Sequence, residues 1–127
     1  MKSKLEIYAL SVCFTTVLIL VISAGIGGYA IFETITPQLT MKSYEYDRHQ
    51  TNDAFWKDKN YDSEKEKTKV RPSDDELTKL RLADFSVAVN GEKRSGIQTL
   101  IKCFMYIFFS GLALAIHWKI AQRARNV

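Results

Sequence analysis

The chain has 127 residues, with 18 Lys/Arg against 14 Asp/Glu and a net charge of +4. Two long apolar runs leave only about 64 residues between them, too few and too polar to bury a large core of their own. The excess positive charge sits at the ends of those runs, where it reads as membrane topology and excludes a nucleic-acid-binding stripe.

Residues 1–6 form a short tail carrying Lys2, Lys4 and Glu6. From Ile7 to Phe32 there follow 26 residues without a charged side chain. About 20 apolar residues suffice to cross the hydrocarbon core of a bilayer as a helix. The small residues Ser23, Ala24 and Gly25 suggest a signal-peptidase site, but the run continues past them to Phe32, longer than a signal h-region of roughly 7 to 15 residues. A span is therefore expected over 7–32. Within it Ser23 pairs with Gly27 and Ala24 with Gly28 at small-xxx-small spacing, which lets a neighbouring helix approach closely. Thr15 and Thr16 can return their hydroxyls to carbonyls of their own helix.

Residues 33–72 form a polar, charged extracytoplasmic segment, and over 38–72, with its dense run Asp58 to Lys67, a mobile or loosely held stretch is expected. Tyr44, Tyr46, Phe55 and Trp56 stand out there among Glu45, Asp47, Arg48, His49 and Asp53. One histidine without a second ligand pair does not make a metal site. An aromatic recognition patch is one reading, and rings resting at the lipid interface the favoured one. The segment has no cysteine and no Asn-x-Ser/Thr acceptor, which points to a bacterial protein over a disulfide- and glycan-stabilised ectodomain.

Ser73 to Glu76 reads as a capping box, with Asp74 to Glu76 placing negative charge at a helix start. An amphipathic helix is expected over 74–89, burying the stripe Leu77, Leu80, Ala83, Asp84 and Val87 beside Leu82, Phe85 and Val89. Asn90-Gly91 favours a turn, so the unit 73–96 is read as a helix interrupted before the second span.

That span, 97–118, holds one lysine and one histidine. Lys102 lies near its start, where snorkelling to the interface is the favoured reading over a charge facing a water-filled path. His117 stands beside Trp118, which suits the interfacial aromatic belt, although histidine can also titrate near neutral pH. Gly111 and Ala115 offer a second small patch. In an antiparallel arrangement the Gly25–Gly28 patch is expected to receive Phe104, Tyr106 or Phe108, and Gly111 and Ala115 to receive side chains near Phe14 and Val17. Cys13 and Cys103 would lie toward opposite membrane faces, too far apart to bridge. The basic tail 119–127 (Lys119, Arg123, Arg125) and Lys2 and Lys4 put both termini in the cytoplasm, although Lys93, Arg94 and Lys102 pull the other way.

No Gly-rich phosphate loop, His/Cys metal spacing or nucleophile elbow is present. No catalytic residue, metal ligand, cofactor, small-molecule substrate or nucleic-acid partner is expected. The layout, with Tyr44 to Trp56 and Ala115-Ile116-His117-Trp118-Lys119, resembles small bacterial two-span membrane proteins to which no activity is attached.

The expected fold is all-α: a membrane helical hairpin of two transmembrane helices, with one amphipathic helix in the connecting segment. The expected role is an accessory, scaffold or interaction subunit of the inner membrane. Its partners would be the lipid bilayer and itself or another membrane protein. The packing surfaces expected are Ser23, Ala24, Gly27, Gly28, Gly111 and Ala115, with Lys102 and His117 as candidate functional polar positions. A homo-oligomeric pore or membrane-permeabilising effector is the alternative.

Overall fold

A computed structural model describes residues 3–61 and 70–126. Every regular element among them is helical: α1 (Lys4–Ile35), α2 (Pro37–Thr40), α3 (Ser43–Arg48), α4 (Asn52–Tyr61) and α5 (Asp74–Arg125). Residues 62–69, which include much of the charged run from Asp58 to Lys67, lie outside the described residues. The chain divides into two compact units. One comprises Met1–Ile31 with Gly96–Val127, the other Phe32–Ser95.

The helix ends follow local chemistry. The Ser3 hydroxyl accepts from the Glu6 amide (3.1 Å), which caps α1. Pro37 disfavours helical geometry at Thr36, so α1 stops at Ile35, and the same proline opens α2 at its first turn. Thr51 caps α4 by accepting from the Ala54 amide at 3.1 Å. Ser73 accepts from the Glu76 amide at 3.5 Å, so the expected cap of α5 is present, while the return bond from the Glu76 side chain is absent among the described residues.

Two expectations are corrected. Residues 38–61 are not loose but build three short helices, because Thr51 and Pro37 start turns that the aromatic residues then pack. Nor does α5 break at Asn90-Gly91: it runs for 52 residues. A turn of that sequence needs positive φ, whereas Gly91 keeps ordinary helical backbone inside a helix already propagating on both sides. An isolated glycine costs a helix about 1 kcal/mol relative to alanine, which a long cooperative run absorbs.

In the first unit, the side chains that α1 buries are Glu6, Ala9, Cys13, Thr16, Ser23, Gly27 and Ala30, with Leu20 half-buried in the gap. Their spacing alternates three and four, the 3.5-residue repeat of a supercoiled seam. On α5 the matching line is Gly96, Cys103 and Ser110, all buried, then His117 and Ala124, half-buried, at intervals of seven. The chain directions are opposed: Glu6 meets Arg125 at 3.4 Å, and a methyl placed on Gly27 would lie 3.5 Å from Cβ of Cys103.

The second unit packs α3 and α4 on the first turns of α5. Its core is Phe55 and Leu77, each 1 % exposed, with His49 and Met41.

Gly91 faces open space. Gly91→Ala should therefore stabilise the full chain in detergent by about 1 kcal/mol, read as a rise in Tm. A fall in Tm would mean that a bend at Gly91 is required.

Candidate functional site

Two places concentrate side-chain organisation, one in each unit.

The first is the seam between α1 and the last 30 residues of α5. Large side chains do not interleave with small ones there, contrary to the sequence expectation. Phe104, Tyr106 and Phe108 are 50 % exposed or more, and no side chain lies within 4 Å of the Cβ positions of Gly25, Gly28 and Gly111. Small meets small instead: Gly27 faces Cys103. The 3.5-residue phase selects one of the two expected pairs. Ser23 and Gly27 are buried on the seam, whereas Ala24 is exposed and Gly28 half-buried. Gly111 is likewise half-buried and Ala115 exposed, together with Val17, Leu114 and Trp118 around an open groove of about 420 Å³.

The buried Thr16 hydroxyl on the seam is satisfied locally. Thr16 donates to carbonyls of its own helix, at 3.0 Å to Val12 and 2.9 Å to Cys13. Thr15 is exposed and returns its hydroxyl to Ser11 at 3.1 Å. Both cysteines are buried and free. Lys102 is exposed without an ion pair among the described residues. His117 is half-buried, and because a carbonyl can only accept, its Nδ1 donates to Ala113 O at 2.8 Å. Its ring meets Tyr8 edge-on at 5.9 Å between centroids.

The second place centres on His49, which sequence reading weighed only as a poor metal ligand. Its side chain is completely buried. Nδ1 donates to the carbonyl of Glu45 at 2.6 Å, and Nε2 faces Asp84 Oδ2 at 3.0 Å. Arg81 donates to the His49 carbonyl at 2.7 Å. Arg48 spans Asp58 (3.0 Å) and Asp84 (3.7 Å). Phe55 and Phe85 close over the imidazole, with centroids 5.9 and 5.3 Å away. Nearby, Asn52 and Thr78 bond side chain to side chain at 2.9 Å.

This cluster corrects the aromatic expectation. Phe55 is interior, Trp56 half-buried, and of the expected interfacial rings Tyr44 stays most open. It corrects the α5 stripe as well. The face turned to α3 and α4 carries Leu77, Arg81, Asp84 and Phe85, while Leu80, Leu82 and Val87 are at least half exposed. Hydropathy misses this face because its polar members, Arg81 and Asp84, are half-buried and bonded to His49. An Asp at position 84 on an otherwise apolar stripe was the available signal.

On the outer side, Arg71 bridges Asp53 (2.7 Å) and Asp74 (3.3 Å). Hydrogen bonding to Asp53 above all holds its guanidinium above the usual value, so it stays charged throughout the physiological range. This solvent-exposed link responds to salt. No group of His, Cys, Asp and Glu suited to a metal ion occurs among the described residues.

Comparison with protein-family models, with curated proteins and with solved structures returned no match.

Removing the His49 ring leaves a cavity beneath Phe55 and Phe85 and strips a donor from Asp84. His49→Ala should cost the full chain about 3 kcal/mol, measured by chemical unfolding in detergent followed through Trp56 fluorescence. Asp84→Asn keeps the volume and should cost about 1 kcal/mol. Equal and negligible losses would show that the cluster is peripheral to folding.

Proposed function

We propose that the chain is an integral membrane protein that works as an accessory or scaffold subunit. Residues 7–32 and 97–118 cross the bilayer as an antiparallel hairpin, and residues 33–96 stand outside it. The observation that carries this reading is uncovered apolar surface. α1 and α5 are the two helices long and apolar enough to cross a membrane, yet only 22 % and 6 % of their most apolar windows are buried. A core helix of a water-soluble protein would be mostly covered. Val21, Ile22, Phe104 and Phe109 are each 59 to 67 % exposed, so hydrocarbon is the solvent that fits them.

Lys2 and Lys4 before the first span, and Lys119, Arg123 and Arg125 after the second, support cytoplasmic termini. With no cysteine or glycan acceptor between the spans, the bacterial inner membrane is the location that fits best. The interaction role rests on small residues left uncovered. Ala24 on α1, and Gly111 and Ala115 on α5, present close-approach surfaces that the seam does not use. The groove beside Gly111 would take one more apolar helix, from a second copy or from another membrane protein. Conduction draws less support, since Thr16 is buried in the seam and its hydroxyl is satisfied within α1.

The protein should stay in membranes through alkaline carbonate extraction at its full mass, with residues 7–32 retained. Reporters fused at Asn60 and at the C-terminus should give opposite locations. Release by carbonate, or a cytoplasmic Asn60, would contradict the proposal. If the open small surfaces bind a partner helix, Ala24→Phe with Gly111→Phe should shift the detergent-solubilised particle to the mass of one chain without loss of helicity. An unchanged particle mass would remove those surfaces from the interaction.

A further inference from the structure

In the second unit, a cleft of about 680 Å³ opens where α1 gives way to α2. Its lining is amphipathic. Ile35 and Leu39, 71 % and 81 % exposed, supply apolar wall together with Val89, while Tyr46, Asp47 and Lys93 supply polar groups. The volume falls in the range of small-molecule sites, so it would take a headgroup and the first carbons of a chain but not a whole lipid.

Its charges are the informative part. Elsewhere in this unit Arg48 is matched with Asp58 and Asp84, and Arg71 with Asp53 and Asp74. Asp47 and Lys93 have no ion-pair partner among the described residues, although both line the same cleft. A cleft offering one carboxylate, one ammonium and an apolar wall complements a ligand with one cation, one anion and a hydrocarbon tail.

Resting on the membrane reading above, we propose that this cleft binds the headgroup end of a zwitterionic phospholipid bearing a primary amine. The lipid ammonium bonds Asp47 and its phosphate bonds Lys93. The glycerol and first acyl carbons lie on Ile35 and Leu39, which follow closely on the apolar run of α1, and on Val89 of α5. A primary amine donates charge-assisted hydrogen bonds to a carboxylate, which a quaternary amine cannot do. An anionic headgroup without an amine would leave Asp47 facing like charge.

Native mass spectrometry of the full chain in non-ionic detergent tests this, with phosphatidylethanolamine, phosphatidylcholine and phosphatidylglycerol added in turn. Phosphatidylethanolamine should be retained about tenfold better than either of the others, the worth of one charge-assisted bond. Asp47→Asn should reduce its retention to that of phosphatidylcholine, and Lys93→Gln should weaken both. Circular dichroism should show the helix content of both variants unchanged, as expected for surface side chains. Equal retention of the three lipids, or retention insensitive to both substitutions, would overturn the proposal. So would displacement by free phosphoethanolamine at the same molar concentration as lipid, because the apolar wall would then contribute nothing. Carbonate extraction of the same membranes separates the two readings: a chain that resists extraction but shows no lipid preference refutes the cleft alone.

Discussion

Two apolar helices surrounded by hydrocarbon gain nothing by hiding leucines from each other, because lipid tails solvate those side chains equally well. What can hold them together is backbone proximity, with dispersion contacts made over a long line and no bulky side chain to keep the axes apart. On the membrane reading proposed above, the seam of this protein answers that constraint. Ala9, Cys13, Thr16, Ser23, Gly27 and Ala30 on α1 oppose Gly96, Cys103 and Ser110 on α5, and large side chains are turned outward. The alternating spacing of three and four keeps the line facing its partner as the helices wind, which implies a left-handed supercoil. An ionic contact of the seam, Glu6 with Arg125, sits at its end, where water can reach the arginine.

The unit formed by residues 32–95 solves a different problem. It has few apolar residues to bury, so a polar group takes the central place. His49 fills the space between Phe55 and Phe85, and its two ring nitrogens tie the carbonyl of Glu45 to the carboxylate of Asp84. Such a centre is directional as well as space-filling. An aliphatic residue of the same volume would pack but would not set α3 against a defined turn of α5. The cost of a buried ring with unmatched nitrogens is met by the Glu45 carbonyl and Asp84, while Arg81 donates to the His49 carbonyl and Arg48 pairs with Asp84.

Much of this was legible from residue order, and the parts that were not have physical reasons. The apolar runs announced themselves because hydrocarbon tolerates no charge, and Ser73 announced the start of α5. The partition of the small residues was hidden. Ser23, Ala24, Gly27 and Gly28 are equivalent as small-xxx-small pairs, and only the 3.5-residue phase, continued from Glu6 to Ala30, tells Gly27 from Gly28. The heptad Gly96-Cys103-Ser110-His117 was visible in principle as an exact repeat, but no hydropathy pattern marks it, since its neighbours are more apolar than its members. Asn90-Gly91 misled because turn preference is a local property and helix propagation a cooperative one. His49 and Asp84 are 35 positions apart, and nothing local connects them. Ser3 and Glu6 have capping-box spacing, but the Glu6 carboxylate turns to Arg125, a partner 119 positions away that no local pattern marks.

The account stands or falls on the register of the seam within one chain. A methyl on Gly27 would lie 3.5 Å from Cβ of Cys103, inside the span of about 3.5 to 4.5 Å that a disulfide requires. The direct measurement is oxidation, in native membranes, of the variant carrying Gly27→Cys and Cys13→Ala. It should close quantitatively to an intrachain Cys–Cys103 bond, seen as a faster-migrating monomer that reverts on reduction. Crosslinking only between chains, or an unreacted pair of thiols, would contradict the seam and with it the antiparallel packing on which the rest depends.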